Sequence, residues 1–301
     1  MQFSMFYVAG DCIVNELVFE QVLFIVFLIA IFGFVLFKRF TRSRWRKRSI
    51  NRNDLHVSTV SSRKTFHKLL FARNEHGVSK MTDIVTCQLE SGQKGKRVVG
   101  AFMFIDKNLL VRNKDLIKRK IVVRDSSMRK RAHIPGRKAT WYDKVEVHGQ
   151  TYNLWHATHL IPFRYCLSDG DISNLLFMGT AHLNMGAKYD MGYAPASRGT
   201  ADSNAARVAH LKELVNSSKN GLKLDYPEVP GLRRYGFVQY SLDDFERLAD
   251  YLINSRKNDH FKYGVECFYS NGSVIPDEVQ VVMINLTKNK LEFSVKLKNS
   301  K

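Results

Sequence analysis

The first 37 residues contain no lysine or arginine; Lys38 is the first of the chain's 47 basic residues. No small-residue cleavage pattern follows the apolar run in this segment. A cleaved signal peptide needs both, so the segment does not read as one. Cysteine is sparse: Cys12, Cys87, Cys166 and Cys267 stand far apart with no C-x-x-C pair. That spacing argues against a structural zinc site of the cysteine type. A 301-residue chain can bury a sufficient core without disulfides, so buried free thiols are expected. The sequence shows no internal repeat.

What the N-terminus does have is hydrophobicity. Val22 to Phe37 is sixteen residues without a polar side chain, and starting at Leu17 gives a stretch of twenty-one with Glu20 and Gln21 near one end. As a helix the longer stretch spans roughly 31 Å, close to the thickness of a bilayer's hydrocarbon core. Asp11, Glu16 and Glu20 precede or enter it; Lys38, Arg39, Arg42, Arg44, Arg46, Lys47 and Arg48 follow. The positive-inside rule then predicts a single transmembrane helix over 17–37, with a short tail (1–16) outside and everything after it cytoplasmic. Residues 38–60, rich in Ser, Arg and Asn, read as a basic juxtamembrane linker lying against the lipid headgroups.

The net charge of +19 favours a polyanionic partner, either nucleic acid or an anionic membrane face. The excess is concentrated: Lys107 to Lys138 holds twelve Lys or Arg against two Asp. This exceeds what a solvated surface requires and points to phosphate contacts, with Arg129, Lys130, Arg131, Arg137 and Lys138 as candidates. Aromatic residues are scarce in that interval, so base stacking is not indicated.

Patterning predicts an α+β domain over 61–301. "VVGAFMFI" (98–105) and "KIVVRD" (120–125) look like strands, and "KVEVHGQTYNLWH" like two strands turning at His148-Gly149. "SLDDFERLADYLINS" (241–255) reads as an amphipathic helix capped by Ser241 with Asp244 at its third position. Residues 261–299 alternate in period two around two turns, a three-stranded antiparallel meander.

Between these lies "LWHATHLIPFRYCLSDGDISNLLFMGTAHLN" (154–184), with three histidines and a terminal asparagine. His156 and His159 are three apart and lie on opposite faces if the segment is extended, which argues against both binding one metal. On the residues alone, structural and catalytic roles stay open for each of them. A zinc hydrolase using His156, His159 and His182 lacks an acidic ligand and a helical frame.

Three segments, "GRKATWYDKVEVHGQTYNLWHATHLIPFRYCL", "NLLFMGTAHLN" and "FKYGVECFYSNGSVIPDEVQVVMINLTKNKLEFSVKL", resemble in order the DNA/RNA non-specific endonuclease family. The similarity is to its branch acting on incoming DNA in Gram-positive bacteria and runs from about 136 to the C-terminus. His-Leu-Ile-Pro, then Asn-Leu, then Gly-Thr-x-x-x-Asn is its most specific part. The resemblance implies a ββα-metal nuclease-like domain with a central antiparallel sheet. It implies His159 as general base and Asn184 as ligand to Mg²⁺ or another divalent cation, with DNA, and RNA as a second substrate. An imidazole can take a proton from water at neutral pH, and an amide oxygen is a hard ligand suited to Mg²⁺.

Two positions depart from the family pattern. An Arg is common two residues before the catalytic His, where this chain has Ala157; Arg164 could supply the cation. An acidic residue usually follows the metal Asn, for which Asp190, Asp202 and Asn204 are the nearby candidates. The alternative reading is a catalytically impaired nuclease fold that binds nucleic acid at the membrane. Family relatives act outside the membrane, against the inward orientation of the charge flanks. An inward nuclease needs restraint, as in defence against foreign DNA or a toxin held by an immunity factor.

Overall fold

Alternating side chains build the centre of the domain. β9 (Phe261–Phe268), β10 (Glu278–Asn285) and β11 (Lys290–Lys298) form the expected meander, with Val281 opposite Val265 on one side and Val295 on the other. The computed structural model describes residues 57–73, 84–90, 96–124, 133–140, 143–147, 150–168, 175–185, 204–230 and 239–299. All lie in one unit, Arg52–Lys301. The apolar run 17–37, Lys38–Arg48 and Cys12 lie outside the described residues, as do Arg129, Lys130, Arg131, Asp190 and Asp202. Among the described residues no helix is long and apolar enough to cross a membrane.

The meander extends into a seven-stranded sheet. β3 (Lys96–Ile105) pairs antiparallel with β9, β2 (Ile84–Glu90) antiparallel with β3, and β1 (Val57–Val60) parallel with β2. At the other edge β8 (Leu222–Asp225) runs parallel to β11, giving the order β1-β2-β3-β9-β10-β11-β8. The expected α+β class with a central, mostly antiparallel sheet is what the domain has. β1 falls inside the stretch read as linker. Its Val-Ser-Thr-Val suits a pleated surface, and the sheet therefore begins before residue 61.

Helices cover both faces. α1 (Arg63–Phe71) lies on one, where Phe66 and Leu70 pack against Val85, Val99, Phe102 and Ile284. Gly264 makes room for it: a Cβ there would sit 2.6 Å from Leu70 Cδ1. The other face carries the larger core, with Leu110 from α2 (Lys107–Lys118), Val215 from α6 (Asn204–Ser217) and most of the apolar face of α7 (Leu242–Ser255). α7 starts with the predicted capping box: Ser241 Oγ accepts from the Asp244 N–H while Asp244 accepts from the Ser241 N–H.

Residues 120–124 are not the strand predicted over 120–125. Lys120 takes a positive φ of 57°, and the N–H groups of Ile121 and Val122 both bond the Leu116 carbonyl in the last turn of α2. Spent on closing a helix, these groups have none left for a sheet. Cys87, Cys166 and Cys267 are buried free thiols, as expected. Burial, with Glu266 nearby, pushes the Cys87 thiol up to about 11.

Candidate active site

The histidine-rich stretch holds two strands that pair antiparallel, a short helix between them in sequence, and a second helix that follows the second strand directly. β4 (Lys144–Val147) and β5 (Gln150–Asn153) form the predicted hairpin, its turn at 148–149 outside the described residues. The chain then enters β6 (Trp155–His159), oriented by the indole N–H of Trp155 donating to Asp143 Oδ2 at 2.8 Å. The short α4 (Phe163–Cys166) follows, started by Pro162 and closed at Leu167 with φ 56°. β7 (Leu176–Thr180) returns antiparallel, with Trp155 opposite Thr180 and His159 opposite Leu176. α5 (Ala181–Met185) begins at the next residue, where Thr180 Oγ1 accepts from the Leu183 N–H at 3.1 Å.

Asn299 fastens this unit to the large sheet. Its amide oxygen accepts from the Thr180 N–H (2.7 Å), and its amide nitrogen donates to the carbonyls of Met178 (3.0 Å) and Pro276 (2.7 Å). The junction between β7 and α5 is thus held from the end of β11 by a buried side chain. Sequence patterning does not single out this residue, because an Asn after the last strand looks like a tail.

β6 is extended, so its pleat sends His156 and His159 to opposite faces, as the spacing predicts. Trp155 and Ala157, in phase with His159, pack beside Ile134, Leu176, Met178 and Ile275. His159 itself is buried, 9% exposed. On the other phase, the His156 ring meets Asn184, with Asn184 Nδ2 donating to His156 Nδ1 at 3.4 Å. His156 Nε2 donates in turn to the Asn153 carbonyl at 3.2 Å. The partner at Asn184 is therefore His156, a residue that the spacing alone left as a neighbour.

The donor set bears on the metal. No group of three or more His, Cys, Asp or Glu among the described residues is placed to hold an ion, which leaves no frame for a three-histidine zinc site there. A single neutral amide oxygen from Asn184 fits a cation that retains most of its water, as Mg²⁺ does.

The predicted cations separate. Arg164 lies between Glu246 (Nη1 to Oε2, 2.9 Å) and Asp250 (Nε to Oδ2, 3.1 Å), with the Tyr165 hydroxyl also donating to Asp250 at 2.7 Å. Burial opposes its charge, but these carboxylates raise its pKa above the ordinary value. This arginine joins α4 to α7. Within the basic interval, Lys114 pairs with Asp250, Arg119 with Asp115, and Lys107 donates to the Asn254 carbonyl. Arg137 and Lys138 begin α3 (Arg137–Thr140), with Lys138 exposed and Arg137 half-buried, its pKa lowered by that burial. A cleft of about 470 Å³ lies on the α1 face, lined by His67, Phe71, Lys223, Asp225, Phe268 and Lys296 among others, and by none of the predicted site residues.

No family model matches the chain, and no curated protein does. Among solved structures it is similar to an extracellular endonuclease at 12% identity, over 76% of this chain and 86% of that one, with a TM-score of 0.37. An extracellular nuclease matches at 12% identity over 76% and 91%, TM-score 0.35. The nuclease Sda1, solved with a bound zinc ion, matches at 13% over 73% and 76%, TM-score 0.38. At such scores the functional reading rests on the residues themselves.

Proposed function

We propose that the chain is a membrane-anchored, divalent-metal-dependent endonuclease that hydrolyses phosphodiester bonds of DNA, and of RNA, without reading sequence. One observation carries this reading: the paired strands β6 and β7, with α5 directly after β7, make a ββα unit that has His159 on its first strand and Asn184 on its helix. That is the order in which the resembled family places its base and its metal ligand. A cation held at Asn184 supplies a positive centre for a phosphate oxygen and the leaving 3′-oxygen. The chain's own part is to hold that ligand in place and to take the proton of the attacking water at His159, a role that the resemblance alone assigns, since His159 leaves β6 on the face opposite the His156–Asn184 contact. Arg137 and Lys138 contact phosphate, and such contacts carry no sequence information. The anchor is 17–37, with the domain on the cytoplasmic side by its flanking charges.

The test is nicking of supercoiled plasmid by the full chain with Mg²⁺. Replacing a general base lowers the rate by about 10²–10⁴-fold, and His159→Ala is expected to fall in that range. Equal cleavage by wild type and His159→Ala, or no cleavage with any divalent metal, would overturn the assignment.

A specific observation favours the binding-only alternative. Ala157, where the family carries a cation, packs against an apolar cluster, and Arg164 is engaged by two carboxylates. That reading predicts affinity for DNA falling steeply with log salt concentration and no turnover.

A further inference from the structure

We infer that His156 is a positioning residue that fixes which end of the Asn184 amide faces a divalent cation. The inference rests on the metal-dependent reading above. An amide nitrogen can only donate, so the 3.4 Å contact makes His156 Nδ1 the acceptor and puts the ring proton on Nε2. Nε2 then has a proton for the Asn153 carbonyl, 3.2 Å away. Both ring nitrogens are thereby used in one consistent tautomer.

The backbone around the ring is fixed as well. Thr158 Oγ1 donates to the His156 carbonyl at 3.2 Å, bracing β6 at this position. Gly179, opposite His156 in the β6–β7 register, has no side chain to compete with the ring for space. A Cβ at Gly179 would lie 2.4 Å from Thr158 Oγ1, so the brace and the bare position belong together.

The consequence concerns Asn184. An amide is planar, with its oxygen and nitrogen on opposite sides of one carbon. Engaging Nδ2 with His156 turns Oδ1 away from that ring, to where it can serve as a ligand. The flipped amide would present a donor to a cation, which cannot bind it. A carboxylate has two equivalent oxygens and needs no such control, so the positioning partner matters only because the ligand is an asparagine. Outer-shell partners of this kind change metal affinity by about 10–100-fold when removed.

The experiment is titration of the full chain with Mn²⁺, followed by the EPR signal of the free ion. His156→Leu, which cannot accept a hydrogen bond, is expected to weaken binding by about 10–100-fold. His156→Gln, whose side-chain oxygen can accept from Asn184, is expected to restore most of it. In an Asn184→Asp background, His156→Leu is expected to cost little, because orientation no longer matters. An equal loss in both backgrounds would make His156 merely structural and overturn the inference. So would unchanged binding by His156→Leu while Asn184→Ala binds weakly. If Asn184→Ala also binds Mn²⁺ as wild type does, the metal reading itself fails.

Discussion

Lys262 is a cation in the sheet, on the face that α1 covers, only 2% exposed. Its ammonium donates to the carbonyls of Leu69, at 2.6 Å, and Ala72, at the C-terminal end of α1. A cation there satisfies orphan carbonyls and opposes the negative end of the helix dipole. Four residues along β9, past Gly264, the buried Glu266 accepts from Arg63 Nε at 3.0 Å and bonds His67 Nδ1 at 2.8 Å. One strand thus grips both ends of one helix. Burial lowers the Lys262 pKa from 10.5 to about 8. Between about pH 8 and 10.5 the unfolded chain therefore holds this proton while the folded chain releases it. Stability rises with pH through that window and is lowest below it, by an amount on the order of 3 kcal/mol. In urea unfolding, the wild-type stability minus that of Lys262→Met is expected to climb between pH 8 and 10.5. A difference that stays flat would show that the carbonyls keep the amine charged in the fold.

At the scale of elements, α7 carries the most weight, because it connects the ββα unit to the sheet. Its N-terminus does two jobs with one carboxylate: Asp244 closes the capping box with Ser241 and pairs with Arg207 Nε at 3.0 Å, both side chains buried. Ser241→Ala is expected to cost about 1 kcal/mol, the ordinary cost of a lost cap. Asp244→Ala also takes the carboxylate away from a buried guanidinium and is expected to cost about 3–5 kcal/mol. Urea denaturation of the two variants checks the ratio, and equal losses would mean that the Arg207 pair contributes nothing. α7 is also the element most plainly written in the sequence, since cap, third-position acid and apolar stripe are all local signals. The meander is legible for the same reason. The polar residues of β9 are not: Lys262 and Glu266 have the spacing of a solvent face, and only α1, far away in sequence, makes that face interior. "KIVVRD" misleads in the opposite way, its β-branched residues being used to end α2. Of the candidate site, a histidine strand followed by an asparagine helix could be read through the family resemblance, which also proposes His159 and Asn184 as its residues. The His156–Asn184 contact could not, because it depends on how α5 packs back over β6.

At the scale of the whole molecule, if 17–37 is the anchor proposed above, two properties of the sequence pull the domain toward opposite sides of a membrane. By the positive-inside rule, the seven Lys and Arg between 38 and 48, with no basic residue before them, favour a cytoplasmic C-terminal side for the proposed anchor. Lying against anionic headgroups, each would add on the order of 1 kcal/mol of attraction to that surface. A nuclease facing inward meets its own genome, whereas the family resembled here acts on nucleic acid outside the cell. The conflict bears on how the activity is governed, because an inward domain requires restraint and an outward one does not. Protease added to intact cells is expected to leave the domain whole, and protease added to inverted vesicles to release it by cutting in the stretch before β1. Changing Arg39, Arg42, Arg44 and Arg46 to Glu removes most of the charge bias and is expected to expose a fraction of the domain on intact cells. Digestion of the wild-type domain on intact cells would instead place it outside. The basic cluster would then have failed to set the topology, and incoming DNA would become the natural substrate.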